Sequence, residues 1–432
     1  MAEFQAVESA PSDLTQGEKK ELYEVGEIPP LGHVPKKMYA WAIRKEREGE
    51  PDKAMQVEVV ETPELDSHDV LVLVMAAGVN YNGVWASLGT PVSMFDVHKQ
   101  PYHIAGSDAA GVIYAVGSKV KRWKVGDEVV VHCNQDDGDD EECNGGDPMF
   151  SPSQRIWGYE TPDGAFAQFA RVQDRQLMPR PRHLTWEESA CYTLTLATSY
   201  RMLFGHRPHI LRPGDNVLIW GASGGIGSMA VQLCATAGAN AIGVISEEDK
   251  REFVMSLGAK AVINRKDFNC WGQMPAVNTD EYAAWTKEVR KFGKAIWDIT
   301  GKGNDVDFVF EHPGEATFPV SCIIVKRGGM VVFCAGTTGY NLTMDARYVW
   351  MRQKRIQGSH FANLKQATQA NQLVIERRID PCMSEVFSWD DIPRAHMKMR
   401  RNEHKPGNMA VLVSSRVPGL RTIEDAIEVG NG

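Results

Sequence analysis

Midway along the chain, Gly221-Ala222-Ser223-Gly224-Gly225-Ile226-Gly227 follows an apolar run, Val217-Leu218-Ile219-Trp220, and precedes a helical stretch, Ser228 to Ala237. Glycines at such a turn let the backbone approach a pyrophosphate, while the free N–H groups and positive dipole end of the following helix attract its charge. A Gly-rich loop alone marks only a tight strand-to-helix turn. Here a strand precedes it and alternating strands and helices continue, so Gly221, Ala222, Ser223, Gly224, Gly225 and Ile226 are expected to cradle a dinucleotide. At the end of the second strand an acid would hold a ribose 2′-hydroxyl, whereas cations would hold a 2′-phosphate. The chain carries Ser246-Glu247-Glu248-Asp249-Lys250-Arg251 there and Arg265 beyond the third strand. Ser246 stands where the acid would be, and Lys250 and Arg265 can converge on a phosphate. That favours NADPH, while Glu247 leaves NADH open. His312, Cys334 and Ala335, near the ends of later strands, complete the expected cofactor set.

The elements that must position this loop follow from the apolar pattern. Six strands are expected from about residue 194 onward: Asn216 to Trp220, Ala239 to Ile245, Ala261 to Asn264, Val306 to Glu311, Met330 to Cys334 and Arg355 to His360. Strands alternating with helices imply a parallel sheet, and six suffice for dinucleotide binding. Between the third and fourth, Cys270 to Gly301 must pack outside the sheet as an extra helix or lid. Upstream, residues 55 to 75 read as two strands, and Gly111 to Val116 and Glu128 to His132 as two more, each punctuated by Gly, as in a compact β-barrel. The late stretch Met409 to Ser414 is assigned back to this first domain. The expected organisation is α/β, with residues 1–193 and 363–432 forming the first domain and 194–362 the second.

At 432 residues, two domains are the prior. The mix of 43% hydrophobic and 24% charged residues is that of an ordinary folded protein. No apolar run approaches the roughly 20 residues a membrane helix needs. Residues 1–35 are polar, acidic and Pro-bearing, unlike a secretory signal, so a cytoplasmic location without membrane attachment is expected. Eight scattered cysteines, several inside apolar runs such as Val332-Phe333-Cys334-Ala335, argue against a disulfide framework. A net charge of -9 makes nucleic acid a poor partner and leaves any phosphate ligand to local basic clusters.

A β-barrel followed by such a sheet resembles the medium-chain dehydrogenase/reductase superfamily, in which the first domain is GroES-like and the second a Rossmann doubly wound sheet. Its zinc alcohol dehydrogenases carry Gly-His-Glu in the first domain and a four-cysteine lobe. This chain has Gly106-Ser107-Asp108 instead, and Cys133 and Cys143 stand in an acidic stretch without further cysteines to complete a tetrahedral site. No metal is therefore expected, and without that Lewis acid the chemistry left is hydride reduction of an activated double bond.

Four segments carry a narrower resemblance: Ala77-Gly78-Val79-Asn80-Tyr81-Asn82-Gly83-Val84-Trp85, the acidic insertion Cys133 to Asp147, Ile156-Trp157-Gly158-Tyr159-Glu160-Thr161, and Gly358-Ser359-His360-Phe361-Ala362-Asn363. Together they resemble the crotonyl-CoA carboxylase/reductase family over nearly the whole chain; Tyr159 departs from a Phe frequent there. The resemblance implies hydride transfer from NADPH to the β-carbon of crotonyl-CoA or a similar enoyl-CoA, and capture of CO2 at the α-carbon to give ethylmalonyl-CoA. It implies that Asn82, or less readily Asn80, donates to a CO2 oxygen. His360 would position a water or the other oxygen, Glu160 would fix the imidazole and that water, and Tyr159 would shape the pocket. Taken singly, each residue could equally cap a turn or line a surface. Arg352, Lys354 and Arg355 are the candidates for the CoA phosphates, and a homotetramer is the family's usual state. A non-carboxylating enoyl-CoA, acryloyl-CoA or quinone reductase, or a dinucleotide-binding protein without activity, would share the same fold.

Overall fold

The computed structural model describes residues 12–430, so residues 1–11 of the polar N-terminal stretch lie outside what is described. Among the described residues, no helix is long and apolar enough to cross a membrane. Contacts divide the chain into two units, one running to Thr193 and resuming at Met383, the other spanning Leu194–Cys382.

The first unit opens with β1 (Lys37–Ile43), β2 (Gln56–Glu61) and β3 (Asp69–Val79), then helix α1 (Tyr81–Leu88). It continues through β4 (His103–Ile104), β5 (Ala109–Val116), β6 (Glu128–Val131), β7 (Phe169–Gln173) and β8 (Leu177–Pro179). All eleven residues of β3 are buried. That explains its near-continuous apolar run in place of an in–out alternation: it is the central strand, paired antiparallel with β5 and β7. β4 pairs with β1 in a smaller sheet of order β2-β1-β4.

The second unit is built on β9 (Asn216–Ile219), helix α2 (Gly225–Thr236), β10 (Asn240–Ile245) and β11 (Ala261–Asn264). Helix α3 (Asp280–Thr300) follows, then β12 (Val306–Glu311), α4 (Phe318–Ile324), β13 (Val325–Phe333), β14 (Arg355–Gly358) and α5 (Leu364–Ile375). The order β11-β10-β9-β12-β13-β14, parallel throughout, is that of a six-stranded dinucleotide sheet. The Cys270 to Gly301 segment is a helix in its last two thirds. Thr279 caps α3 by accepting from the Tyr282 N–H, and Trp285, Val289, Phe292 and Ile296 recur at helical spacing on its buried face. Phe292 stacks on Trp220 at 5.7 Å, with Trp271 edge-on at 5.2 Å from Trp220, so the added helix closes an aromatic cluster at the end of β9.

The chain then returns to the first unit with β15 (Met383–Phe387), α6 (Ile392–Arg400) and β16 (Asn408–Leu412). β16 pairs antiparallel with the end of β3, Met409 facing Val79, as expected for the late strand. The second domain boundary is corrected: it falls after Cys382, not after Ala362. Helix α5 belongs to the second unit because Ala367, Ala370 and Val374 are buried there, Arg201 donates to Gln366 at 3.0 Å, and Gln232 donates to the Asp380 carbonyl at 3.0 Å.

Candidate active site

In the second unit the Gly-rich loop turns directly from β9 into α2. A Cβ built at Gly227 would stand 2.2 Å from the Gly221 carbonyl oxygen, so only glycine lets helix and loop lie this close. Gly224 serves as N-cap with no side chain to occupy the first-turn N–H groups of α2. The arrangement fits a pyrophosphate at that helix end. His312 bonds through Nε2 to the Trp220 carbonyl at 2.9 Å and so lies against the start of the loop. Cys334 donates its N–H to the Glu311 carbonyl, and Ala335 takes a left-handed φ of 61° just past β13. These three residues lie at the carboxyl ends of strands, where ligands of open α/β sheets sit.

Beyond β10, Glu247 takes a hydrogen bond from Lys266 Nζ at 2.5 Å, which, with the fields of Lys266, Lys250 and Arg265, holds its carboxyl below the usual range. Lys250 and Arg265 therefore do share a neighbourhood. Lys266, a third cation there, went unnoticed in the sequence, although it directly follows Arg265. With Glu247 neutralised by Lys266, the cluster suits a 2′-phosphate better than a bare hydroxyl.

In the first unit, the loop Gly106-Ser107-Asp108 between β4 and β5 organises two of the expected segments. Asn80, N-cap of α1, does not cap the helix with its side chain. Its amide Nδ2 donates to Asp108 Oδ2 at 2.8 Å, and Asp108 also accepts from Thr193 Oγ1. Asn82, the second residue of α1 and only partly buried, donates Nδ2 to Ser107 Oγ at 2.6 Å. The same loop lies against the residues flanking Tyr159-Glu160: a Cβ at Gly158 would stand 1.9 Å from the Gly106 carbonyl oxygen, and Ala165 donates to that carbonyl at 2.9 Å. Glu160 is half-buried and accepts the Ile156 N–H at 2.7 Å, while Tyr159 is buried. Asn80 is thus committed to anchoring the helix, and of the two asparagines Asn82 is the one left partly accessible.

Behind α1 stands His396 of α6, fully buried, bonded through Nδ1 to the Ile392 carbonyl at 2.7 Å and edge-on to Phe166. A Cβ at Gly83 would lie 2.5 Å from its Nε2. Gly83→Ala is expected to lower unfolding stability by about 1–3 kcal/mol through overpacking, readable as a shifted denaturant midpoint. A variant as stable as the parent would contradict this packing.

Burial pushes His396 down to about 4, and burial with His98 alongside pushes His103 down to about 3. Both are neutral when folded, so the unfolded chain binds protons first as pH falls below the ordinary 6.5. Stability should therefore be full above pH 6.5 and decline from there toward pH 4, by up to about 1.4 kcal/mol per pH unit for each imidazole. Urea midpoints at pH 7, 6 and 5 measure this; a flat profile would refute it.

His360 lies in the second unit just after β14, edge-on to Phe361 with ring centres 4.3 Å apart. Protein atoms crowding its ring, and then the charge of Arg201, lower its pKa to about 4, although the residue as a whole is exposed to solvent. It is neutral at pH 7, able to donate from one nitrogen and accept at the other.

The CoA-phosphate expectation needs correction. Lys354 is buried, and its ammonium donates to the Cys322 and Ile323 carbonyls at 2.8 and 2.9 Å, closing the end of α4. Burial, and then nearby Arg352, lower its pKa to about 8. Arg355 is spent on the His206 and Arg207 carbonyls at 3.1 and 2.8 Å and on Gln357. Both are structural ties. Arg352, over the Tyr348 ring at 5.4 Å, is the remaining candidate of the three.

Comparison with known proteins agrees with these features. Residues 66–182 match the alcohol dehydrogenase GroES-like domain and residues 225–376 the zinc-binding dehydrogenase model. The crotonyl-CoA carboxylase/reductase of Cereibacter sphaeroides is 78% identical over 412 residues, 95% of this chain and 96% of that protein. A solved crotonyl-CoA carboxylase/reductase superposes with a TM-score of 0.94 at 76% identity, covering 96% of this chain and 97% of that one. The 2-octenoyl-CoA carboxylase reductase CinF, solved in complex with NADP and 2-octenoyl-CoA, gives 0.83 at 36% identity, covering 92% of each chain. Fold and site together define an oxidoreductase of the medium-chain dehydrogenase/reductase type, a GroES-like unit joined to a parallel dinucleotide sheet. Within that class, the chain belongs to the crotonyl-CoA carboxylase/reductase family.

Proposed function

We propose that this protein is an NADPH-dependent reductive carboxylase of an α,β-unsaturated acyl-CoA, converting crotonyl-CoA and CO2 to ethylmalonyl-CoA. The observation that carries the reading is Asn82 held by Ser107, where zinc-dependent relatives place a metal-ligand histidine. A serine stands there and holds the amide of Asn82, which is suited to a neutral gas molecule and not to activating an alcohol. The Gly221–Gly227 loop with α2 holds the dinucleotide, and Lys250, Arg265 and Lys266 take its 2′-phosphate. Bound NADPH supplies the hydride for the β-carbon.

The resulting thioester enolate takes either a proton or CO2, and each tenfold preference needs about 1.4 kcal/mol of barrier difference. Asn82 donates an N–H to one CO2 oxygen. Neutral His360 holds a water or the other oxygen, and Glu160 orders that water. Arg352 meets a CoA phosphate. The enzyme works in the cytoplasm as a homotetramer.

Crotonyl-CoA and NADPH, incubated with and without bicarbonate and analysed by mass, should give ethylmalonyl-CoA only when bicarbonate is present. Butyryl-CoA alone under both conditions would leave a plain enoyl-CoA reductase.

A further inference from the structure

Ser107 is fully buried, and its only described side-chain partner is the Asn82 amide. Its neighbour Asp108 holds Asn80 in the same way, so two consecutive residues of one loop grip two asparagines two positions apart, one at the N-cap and one on the first turn of α1. The two grips differ in consequence. Asn80 is buried, and its bond fixes where the helix starts. Asn82 is partly open, and one Nδ2 hydrogen directed at Ser107 fixes the plane of the amide and the direction of the second hydrogen. Without that acceptor, the final torsion of an asparagine side chain is broad, roughly two-fold and set by solvent.

We infer that Ser107 is a positioning residue for carboxylation: it aims the free N–H of Asn82 and thereby sets the ratio of CO2 capture to protonation. The inference rests on the proposed role of Asn82. Ser107 touches neither substrate nor cofactor in this scheme and acts only through the amide. Its effect should therefore fall on product partition and should vanish once Asn82 is gone.

The test measures ethylmalonyl-CoA against butyryl-CoA at fixed bicarbonate for the parent enzyme, Ser107→Ala, Ser107→Cys, Asn82→Ala and the Asn82→Ala/Ser107→Ala double variant. The expected result is a ratio about tenfold lower in Ser107→Ala, a smaller fall in Ser107→Cys, whose thiol is a weak acceptor, and no further fall on the Asn82→Ala background. A folded Ser107 variant with the parental ratio, or the same fold-loss with and without Asn82, overturns the inference. If the parent itself makes no ethylmalonyl-CoA, the functional proposal fails, and the aiming is judged from a crystal structure of Ser107→Ala or, should that variant not fold, Ser107→Cys. An Asn82 amide turned from its parental plane supports it, and an unmoved amide refutes it.

Discussion

Asn82→Ala is expected to divert most product from ethylmalonyl-CoA to butyryl-CoA in the presence of bicarbonate. As the new C–C bond forms, the CO2 oxygen facing the amide becomes part of a carboxylate, so the hydrogen bond strengthens toward the transition state and lowers that barrier selectively. Hydrogen bonds to charged groups are worth about 1.5–3 kcal/mol, which corresponds to a 10- to 150-fold change in the product ratio. Protonation of the enolate needs no such donor and is spared. Mass analysis of both products gives the ratio directly, and a parental ratio would remove Asn82 from the role. Asn80→Ala should behave differently, because its amide is tied to buried Asp108: its main cost should appear in stability.

The second large effect is expected in the dinucleotide unit. Gly227→Ala places a methyl group where the Gly221 carbonyl oxygen stands at 2.2 Å, and neither partner is a flexible side-chain end. Backbone must move, and the loop loses its register with the first N–H groups of α2. Hydrogen bonds to a charged phosphate are worth about 1.5–3 kcal/mol each, so losing one of them should lower NADPH affinity by roughly 10- to 150-fold. Titration of bound-NADPH fluorescence reads this without turnover; unaltered affinity would mean that the helix end is not the phosphate site.

Much of this architecture was legible because its causes are local. The six strands of the dinucleotide sheet announced themselves as short β-branched runs between Gly-bearing turns, and four of them kept their expected starting residue: Asn216, Ala261, Val306 and Arg355. The loop at Gly221 needed only its flanking strand and helix. What escaped depends on contacts between distant segments. Lys354 and Arg355 read, with Arg352, as a cluster for the CoA phosphates, yet carbonyls at the end of α4 and at residues 206–207 claim them. Helix α5 looked like the start of the returning domain because its buried stripe of Ala367, Ala370 and Val374 carries no mark of which surface it covers. Ser107 was visible as the absence of a ligand, but its bond to Asn82 joins positions 25 apart and needed the packed loop to be seen. Gly83 is explained only by His396, which the sequence places over three hundred positions away.

The return of the chain after Cys382 has a consequence for biosynthesis. Central strand β3 is flanked on one side by β16, so Ala76–Val79 lack their neighbour until residues 409–412 leave the ribosome. The dinucleotide unit, contiguous from Leu194 to Cys382, can close while that edge is still bare. A nascent chain of which only the residues up to about 390 have emerged would then carry a finished nucleotide-binding half and a β-half with an open, sticky ladder. Protease sensitivity of such stalled chains should concentrate in the segment made first.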